Sequence, residues 1–475
     1  MRLLFVQEQI DYEPQGIMQL SSVLKAAGHE VRLAVSSLED PLRVAQEFRP
    51  GILAYSVITG SQGYYLELNR RLRSAVPAFS VFGGPHPTFF PEMIAQDGVD
   101  GVCVGEGELP LLDLANALQP DGSLSNPHLP NWHFKLGGQV IASDVRPYVA
   151  DLDSLPQPDY ALVYEKDPVL RRNKVKHFMA GRGCPYGCTY CFNHALKETY
   201  RDKGKPVRRR SPKRVVDEMV WVRERYPLEF AVFVDDTFIL SQDWLEEFVP
   251  EYRARLGIPF FCNVRANLVT PSVIRLLKQG GCHSVSMGLE AGDDHIRNEL
   301  LGRNMSREQI LDAARLIGEA GLRFTTTSMI GLPGTSLADD LATLDLNIAA
   351  RPDYAHVFIF QPYPRTRLGQ YAQDNGMLDG TFDDISSLAW DRSMLNFPPE
   401  RKRALANLQR LFALAVEWPF LRGPLQRLLT LPENRLFWLL NKAWKGYALK
   451  QRIHPAPMSL ADVTRTAWRF MRIKS

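Results

Sequence analysis

Residues 179–192 read Met-Ala-Gly-Arg-Gly-Cys-Pro-Tyr-Gly-Cys-Thr-Tyr-Cys-Phe and begin at the end of an apolar run, KHFMA, that predicts a strand. Three of the six cysteines in the chain, Cys184, Cys188 and Cys191, lie here with C-x3-C-x2-C spacing. On a loop after a strand, this spacing lets three thiols converge, and thiolates are the ligands of iron–sulfur clusters. One iron of a four-iron cluster would stay open to a chelating group, such as the amino and carboxylate groups of methionine. We therefore predict that these three cysteines hold a [4Fe–4S] cluster.

The alternative for this stretch is a three-cysteine zinc site completed by His194. The remaining cysteines, Cys103, Cys262 and Cys282, lie in apolar, strand-like surroundings and are interpreted as buried core residues. Six cysteines are too few for a disulfide scaffold in 475 residues. A grouped cysteine motif without such a scaffold predicts a reducing compartment, the cytoplasm.

The cysteine motif opens a series of six apolar runs separated by helical patterns. We expect residues 176–375 to form a (β/α)6-type partial TIM barrel, whose chemistry would lie at the carboxyl ends of its strands. The predicted strands are KHFMA, FAVFVD, PFFCNV, HSVSMGL, RFTTTSMIGL and HVFIFQ, with helices near 211–225, 242–255, 270–280, 293–301, 306–320 and 337–350.

Upstream, residues 1–120 show five short apolar runs alternating with amphipathic patterns, among them ILAYSVI and FSVFGG. Strands separated by helices of this length predict a parallel, doubly wound, Rossmann-like α/β domain. Residues 121–175, rich in Pro, Asp, Ser and Asn, are expected to be an extended connector. Residues 376–475 are expected to be a helical C-terminal region.

Composition excludes several classes of protein. Lys plus Arg total 56 and Asp plus Glu total 53, a net charge of +3 that does not favour a nucleic-acid binder. The start, MRLLFVQEQIDYEP, turns acidic too early for a signal peptide. No uncharged apolar run reaches the roughly 18 residues that a spanning helix requires.

The C-x3-C-x-aromatic-C stretch after the first barrel strand resembles the signature of the radical S-adenosylmethionine (SAM) enzymes. That resemblance implies reductive cleavage of SAM to methionine and a 5′-deoxyadenosyl radical. It also implies an electron donor such as flavodoxin or ferredoxin. No catalytic acid or base is assigned. The residues that would contact SAM lie in the cysteine loop or near the strand ends: Tyr190, Phe192, Asp235, Arg265, Ser286, Glu290, Gly331 and Tyr363.

Glycine loops follow the later strands of the first domain, at the edge where such sheets bind ligands. Together with the barrel, this domain resembles the cobalamin-binding domain of cobalamin-dependent radical SAM enzymes, including the anaerobic Mg-protoporphyrin ester cyclase/methyltransferase group. The loop after the first strand, residues 8–16, lacks the cobalt-ligating histidine of other cobalamin domains, so cobalamin would bind without histidine ligation. A domain that binds nothing is the alternative. The expected cobalamin contacts are Ser56, Thr59, Gly60, Ser61, Gly83, Gly84, His86, Gly105, Glu106 and Gly107.

The resemblance implies a methyltransferase acting on an unactivated carbon of a small molecule or natural product through methylcobalamin and the 5′-deoxyadenosyl radical. A radical SAM cyclase or rearrangement enzyme without net methylation is the first alternative. A cobalamin-binding sensor with a structural cluster is the second. Residues 415–450 mix Trp, Phe and Leu with Arg and Lys, which predicts helices that pack on the barrel or make a peripheral contact with a membrane.

Overall fold

The computed structural model describes residues 1–385 and 392–455; the last 20 residues of the predicted helical C-terminal region lie outside this description. The strands are β1 (Arg2–Gln7), β2 (Glu30–Val35), β3 (Ile52–Ser56), β4 (Phe79–Gly83), β5 (Gly101–Cys103), β6 (Trp132–Leu136), β7 (Gln139–Ala142), β8 (Val175–Phe178), β9 (Gly181–Arg182), β10 (Arg208–Arg209), β11 (Phe230–Phe233), β12 (Phe260–Val264), β13 (Cys282–Glu290), β14 (Arg323–Ile330) and β15 (Tyr354–Ile359). The helices are α1 (Gln15–Ala26), α2 (Pro41–Phe48), α3 (Gln62–Arg73), α4 (Pro85–Phe89), α5 (Glu108–Ala117), α6 (Tyr160–Tyr164), α7 (Pro168–Arg172), α8 (Phe192–Thr199), α9 (Pro212–Arg225), α10 (Gln242–Arg255), α11 (Pro271–Gly280), α12 (Arg307–Glu319), α13 (Leu337–Ala350), α14 (Arg367–Asp374), α15 (Pro399–Glu417), α16 (Arg422–Leu429) and α17 (Arg435–Ala448).

The chain divides into two compact units, neither of which is one continuous stretch. The first contains residues 1–173, 195–210 and 221–227. The second contains residues 174–194 and 211–220, and continues from residue 228.

The first unit is built on a seven-stranded sheet of order β2-β1-β3-β4-β5-β6-β7. Strands β1 to β5 are parallel and alternate with α1, α2, α3 and α5, as the Rossmann-like expectation requires. The sheet then continues into the predicted connector, because β6 and β7 add an antiparallel pair. Trp132 and Phe134 alternate with polar residues along β6 and are buried, which is why this stretch forms a strand.

Part of the core of the first unit comes from far along the sequence. Tyr200 is 2% exposed and belongs to the same core cluster as Tyr55 and Phe82 of the central strands. Its ring stacks on that of Tyr148, with 3.9 Å between ring centroids. The first unit is therefore completed by residues that follow the cysteine loop.

The second unit contains a parallel sheet of six strands in the order β15-β14-β13-β12-β11-β8. Neighbouring strands are joined by helices, so the sheet is a partial barrel with all its carboxyl ends on one side. Helix α12 begins with a capping box formed by Ser306 and Gln309. The prediction of an α-helix near 293–301 is wrong, because Ile296–Leu300 forms a π-helical turn.

The C-terminal helices pack on the last strand of the barrel. Leu405, Leu408 and Phe412 of α15 are completely buried in a core cluster shared with β15 and α13. The following segment, Leu449–Ile453, returns to the sheet, where the Ser284 hydroxyl donates a 2.6 Å hydrogen bond to the carbonyl of Ile453. Within residues 1–385 and 392–455, no helix is both long and apolar enough to cross a membrane.

Candidate active site and cofactor-binding loops

The three cysteines of the predicted cluster lie on one loop of the second unit. The Cys191 amide donates to the carbonyl of Cys188 over 3.1 Å, which tightens the loop. The thiols of Cys184 and Cys191 both interact electrostatically with Cys188, and burial raises the pKa of each of these two thiols. These interactions place the Cys188 thiol within electrostatic reach of the other two, which is compatible with a shared cluster.

Backbone and hydroxyl contacts at Thr189 fix this loop. Its amide donates to the carbonyl of Leu301 (3.1 Å) and its hydroxyl to that of Leu300 (2.6 Å). Its own carbonyl accepts a 2.9 Å hydrogen bond from the amide of Leu368 in α14. The loop is thus held between the turn after β13 and the start of α14.

The structure argues against the zinc alternative. His194 Nε2 accepts the amide hydrogen of Arg367 at 3.2 Å, so Nδ1 carries the proton and donates to the Cys188 carbonyl at 3.3 Å. In the described part of the chain, no three His, Cys, Asp or Glu side chains are arranged to enclose a single metal ion. A four-iron cluster has no such requirement, because each cysteine binds a different iron. The loop therefore fits a cluster better than a zinc ion.

A buried arginine from the end of β12 lies beside the cysteines. Arg265 Nη1 is 3.7 Å from Cys188 Sγ, and its guanidinium carbon is 3.7 Å from the ring centroid of Tyr186. Its Nη2 donates to the carbonyl of Arg303. Arg265 is only 5% exposed, so its charge acts in a weakly screened environment.

Arg303 organises a second group of buried polar side chains next to the loop. Its Nη1 donates to the Tyr190 hydroxyl over 2.8 Å and lies 3.7 Å from a carboxylate oxygen of Glu290. The same oxygen accepts a 3.1 Å hydrogen bond from the Thr327 hydroxyl. Burial raises the pKa of Glu290, and the neighbouring Arg303 opposes that shift. The Glu290 backbone has φ of 71°, a conformation that suggests local constraint.

The two arginines keep unused donors. The Nε atoms of Arg265 and Arg303 are buried without a hydrogen-bond partner. Such groups are costly unless a ligand satisfies them. Two buried guanidinium donors beside an iron–sulfur ligand loop fit the carboxylate of a bound amino-acid moiety, and SAM carries one.

The two acidic residues after β11, Asp235 and Asp236, make different contacts. Asp235 Oδ2 accepts the Ala180 amide over 2.9 Å and so supports the backbone before the cysteine loop. Asp236 accepts from Asn193 Nδ2 at 3.2 Å and interacts electrostatically with Cys184. Although Asp236 is accessible, surrounding protein atoms raise the pKa of its carboxyl by partial desolvation. Asp235 is the predicted SAM contact, whereas Asp236 is the residue that interacts with Asn193 and Cys184.

The remaining predicted SAM contacts are distributed over the other strand ends. Phe192 and Tyr363 pack together with ring centroids 5.6 Å apart. Ser286 lies in register with Asn263 and Thr325 on the neighbouring strands.

Gly331, at the end of β14, has its amide bonded to Asp340 at 2.8 Å. A Cβ built on Gly331 would meet the Leu405 side chain at 2.8 Å, so α15 already covers this glycine.

In the first unit, the loops after β3 and β4 meet at the carboxyl edge of the sheet. The Thr59 hydroxyl and His86 Nδ1 share a 3.3 Å hydrogen bond. Gly84 has φ of +92°, and a Cβ there would lie 2.9 Å from the Ser56 hydroxyl. Only glycine allows the two loops to approach this closely. His86 lies on the short helix α4 and is 8% exposed.

The other predicted cobalamin residues hold the same loops in place. The Ser61 hydroxyl donates to the Ile58 carbonyl over 2.8 Å, and the Gly60 amide donates to Gln62 over 2.6 Å. The Gly83 carbonyl accepts the Val57 amide at 2.9 Å.

The loop after β5 makes close contacts within the first unit. The Gly105 amide donates to the Thr88 hydroxyl at 3.0 Å, and a Cβ on Gly105 would lie 2.0 Å from the Tyr200 hydroxyl oxygen. Glu106 forms a two-point ion pair with Arg208, at 2.8 and 3.0 Å. Although Arg208 lies in a strongly basic stretch of the sequence, it is only 8% exposed. A Cβ on Gly107 would contact Leu20 at 3.2 Å.

Two features of this edge fit a large, partly apolar ligand such as a corrin. Tyr12, after β1, and Ile58, after β3, are 56% and 54% exposed on the loops at the carboxyl edge. Large ligands bury mostly apolar surface and are oriented by a few polar groups. Ile58 lies beside the predicted contacts, but no chemical motif in the sequence distinguishes it.

Comparisons with known proteins agree with both units. Residues 2–115 match the B12 binding domain and residues 179–346 match the Radical SAM superfamily. An uncharacterized methyltransferase of Pyrococcus horikoshii is 29% identical over 77% of this chain and 79% of its own length. The anaerobic magnesium-protoporphyrin IX monomethyl ester cyclase of Cereibacter sphaeroides is 24% identical over 76% of this chain, which spans 61% of that enzyme. OxsB, a cobalamin-dependent SAM radical enzyme solved with aqua-cobalamin and SAM, has a TM-score of 0.70 at 15% identity, over 99% of this chain and 75% of OxsB.

A B12-binding domain followed by a radical SAM domain defines the class of protein: this chain is a radical SAM enzyme with a cobalamin domain. The chain carries the two domains of cobalamin-dependent radical SAM enzymes, and its relatives include a methyltransferase and a magnesium-protoporphyrin IX monomethyl ester cyclase. The cofactors of its domains are a [4Fe–4S] cluster, SAM and cobalamin, as predicted.

Proposed function

We propose that this protein is a methyltransferase that adds a methyl group from SAM to an unactivated carbon of a small-molecule substrate. The observation that carries the proposal is the pairing of the two domains in a chain that resembles a methyltransferase over 77% of its length. When bound, cobalamin supplies a methyl carrier, and the cluster with SAM supplies the means of activating a carbon–hydrogen bond.

The side chains of the second unit would bind and orient SAM. Arg265 and Arg303 would donate their buried Nε hydrogens to its carboxylate. Asp236 would accept hydrogen bonds from its amino group. Phe192 and Tyr363 would flank its adenine. The buried Tyr190–Arg303–Glu290 group would hold Arg303 in one orientation, which limits the entropy lost on binding.

The loops of the first unit would hold cobalamin through backbone shape. Ser56, Thr59 and His86 would supply polar contacts, and the glycines at 84 and 105 would keep the loops close together. The loop after β1 contains no histidine that could bind cobalt. Its buried Glu13 accepts a 2.6 Å hydrogen bond from the Tyr164 hydroxyl. Bound cobalamin should therefore show the spectrum of a base-off form without histidine coordination.

The test is an anaerobic assay with SAM, reductant and cobalamin-loaded protein. Candidate substrates are the small molecules made or used by enzymes that neighbouring genes encode. Formation of S-adenosylhomocysteine together with 5′-deoxyadenosine supports methyl transfer. Production of 5′-deoxyadenosine alone with a converted substrate would favour the cyclase alternative, which the Cereibacter relative makes relevant. No cleavage of SAM by the reduced protein would revive the sensor alternative.

We further propose that an electron donor such as flavodoxin or ferredoxin reduces the cluster in the cytoplasm. All six cysteines are free thiols, which is consistent with a reducing compartment. The donor can be tested by comparing SAM cleavage with reduced flavodoxin, reduced ferredoxin and a chemical reductant.

A further inference from the structure

Helix α17 carries apolar side chains both on the side that packs against the protein and on an exposed side. Phe437 and Ala448 are 8% and 0% exposed and face α15 and its neighbours. The other face, here called the outer stripe, carries large apolar residues that are 43% to 61% exposed: Leu436, Leu439, Leu440 and Tyr447. Their spacing of three, four and seven residues places them along one line of the helix.

An exposed apolar stripe of this kind is unusual for a protein surface, where large apolar residues are normally scattered singly. Trp438, 37% exposed, adds an aromatic ring on a different side of α17, and Phe420, 75% exposed, lies before α16. Tryptophan and tyrosine suit a boundary where one end of the ring is apolar and the other is wet.

The charge around the stripe is mainly positive, although Arg422 and Arg452 are paired with Asp345 and Glu417. Helices α16 and α17 contain five basic residues and no acidic residue. Across residues 418–452 there are seven Lys or Arg residues and one acidic residue, Glu433, which is paired with Arg410. Arg427, Arg435 and Lys442 are exposed. The Lys442 ammonium lies 5.5 Å from the Trp438 ring centroid, so cation and aromatic surface occur side by side.

We propose that the outer stripe of α17 binds the surface of a membrane rich in anionic lipid. A helix with an apolar stripe bordered by Lys, Arg and Trp lies in the interface of such a membrane, with its apolar side chains between the lipid headgroups. A second copy of this chain would bring a like-charged surface against α16 and α17, which opposes self-association through this face. The negative charge of the lipid headgroups complements both the stripe and its border.

The experiment is sedimentation of the full chain with vesicles of phosphatidylcholine alone or mixed with phosphatidylglycerol. We expect binding to the mixed vesicles at low salt that weakens severalfold as salt rises to about 0.5 M, because screening shortens the reach of the basic charges. Leu436→Ser/Leu439→Ser/Tyr447→Ser should reduce the partition coefficient by roughly tenfold or more, because three anchoring side chains are lost. Arg435→Gln/Lys442→Gln should weaken binding mainly at low salt.

Tyr371→Ser is the matched control, since Tyr371 is a 43% exposed aromatic residue on a different helix, α14. It should leave vesicle binding unchanged, and circular dichroism should show that every variant is folded. Absence of sedimentation at low salt would overturn the proposal. So would equal binding by the triple variant and the wild type. Concentration-dependent dimerisation that the triple variant abolishes, without vesicle binding, would assign the stripe to a second copy instead.

Discussion

The candidate sites at the carboxyl ends of the two sheets are built differently, one from buried charged side chains and the other from close backbone contacts. In the second unit, the cysteine loop is surrounded by buried charges: Arg265 and Arg303 are 5% and 6% exposed, and Glu290 is 8% exposed. In the first unit, the edge is formed by close backbone contacts at Gly84 and Gly105, with hydroxyl groups and exposed apolar side chains around them.

This difference follows from the ligands. A charged cluster and the zwitterionic end of SAM need fixed charges in a dry environment, where electrostatic interactions are strong. A corrin needs a broad surface that the backbone can approach closely. Substitutions in the second unit should therefore act through charge and ligation, and substitutions in the first unit should act through shape.

The largest effect is expected from the cluster ligands. Cys188→Ala should abolish SAM cleavage and lower bound iron well below the roughly four atoms expected per chain after anaerobic reconstitution. Iron and sulfide assays with the absorbance spectrum measure this loss. Cys262→Ala is the control, because Cys262 is a fully buried thiol in β12, and its loss should cost only packing, roughly 1 kcal/mol. Full activity of Cys188→Ala would refute the cluster assignment.

The next largest effect tests the buried charges. Arg303→Met should destabilise the protein by about 3 kcal/mol, because it leaves the Glu290 carboxylate buried beside an apolar side chain. It should also weaken SAM binding by roughly tenfold or more, measured by calorimetry. Arg315→Met is the control, since Arg315 pairs with Glu319 on an exposed helix face, where water screens the pair and its loss should hardly change stability. Equal urea midpoints for the two variants would show that the buried charges around the cysteine loop do not stabilise the protein more than an exposed ion pair does.

A smaller effect tests shape in the first unit. Gly84→Ala should cost about 1–2 kcal/mol, because alanine at φ of +92° is strained and its Cβ would crowd Ser56. The displaced loop should retain less cobalamin after gel filtration, measured from the corrinoid absorbance. Gly63→Ala, in α3 with open space around its Cα, should leave retention unchanged. Undiminished retention in Gly84→Ala would show that loop shape is not what holds the corrin.

The smallest effect is expected on the pH dependence of stability, which should come from buried neutral histidines of the second unit rather than from the charged residues around the cysteine loop. Burial lowers the pKa of His454 to about 4 and that of His356 to about 3. In the unfolded chain both would titrate near their usual value of about 6.5. Below that pH the unfolded state binds more protons, so stability present at neutral pH is lost as pH falls, by about 1 kcal/mol per histidine at pH 5.5.

Thermal unfolding between pH 7.5 and 5.5 measures this dependence. His454→Phe should flatten it, because the ring already packs against Phe230 and Phe261 and phenylalanine cannot take up a proton. The control is His128→Gln, at an exposed position, which should keep the wild-type slope. A slope that is the same in all three proteins would contradict the assignment.

The sequence predicted the parallel strands of both sheets and led to the cluster-ligand prediction because both signals are local. Alternating apolar runs identify strands within a few residues, and Cys184, Cys188 and Cys191 occupy eight consecutive positions. The alternation of Trp132 and Phe134 was also local and could have identified β6, but the turn-rich composition of the connector obscured it.

The residues that were missed depend on long-range packing. Arg303 has no motif of its own and meets Tyr190 across 113 positions. Arg208 meets Glu106 across 102 positions, so no local motif could predict this ion pair. The choice between Asp235 and Asp236 depended on which way the chain turns after β11, which side-chain periodicity does not determine beyond the end of a strand.

The interrupted first unit has a consequence for how the protein is made. On the ribosome, its last sheet strand, β7, is complete at Ala142, but Tyr200 reaches the core only after the cysteine loop has been synthesised. Until then Tyr148 lacks its stacking partner, and Glu106 lacks the arginine that neutralises it. The first unit therefore cannot complete its core until residues 195–210 have been synthesised. A gene fragment ending at Asn173 should accordingly yield an aggregation-prone product rather than an independent domain.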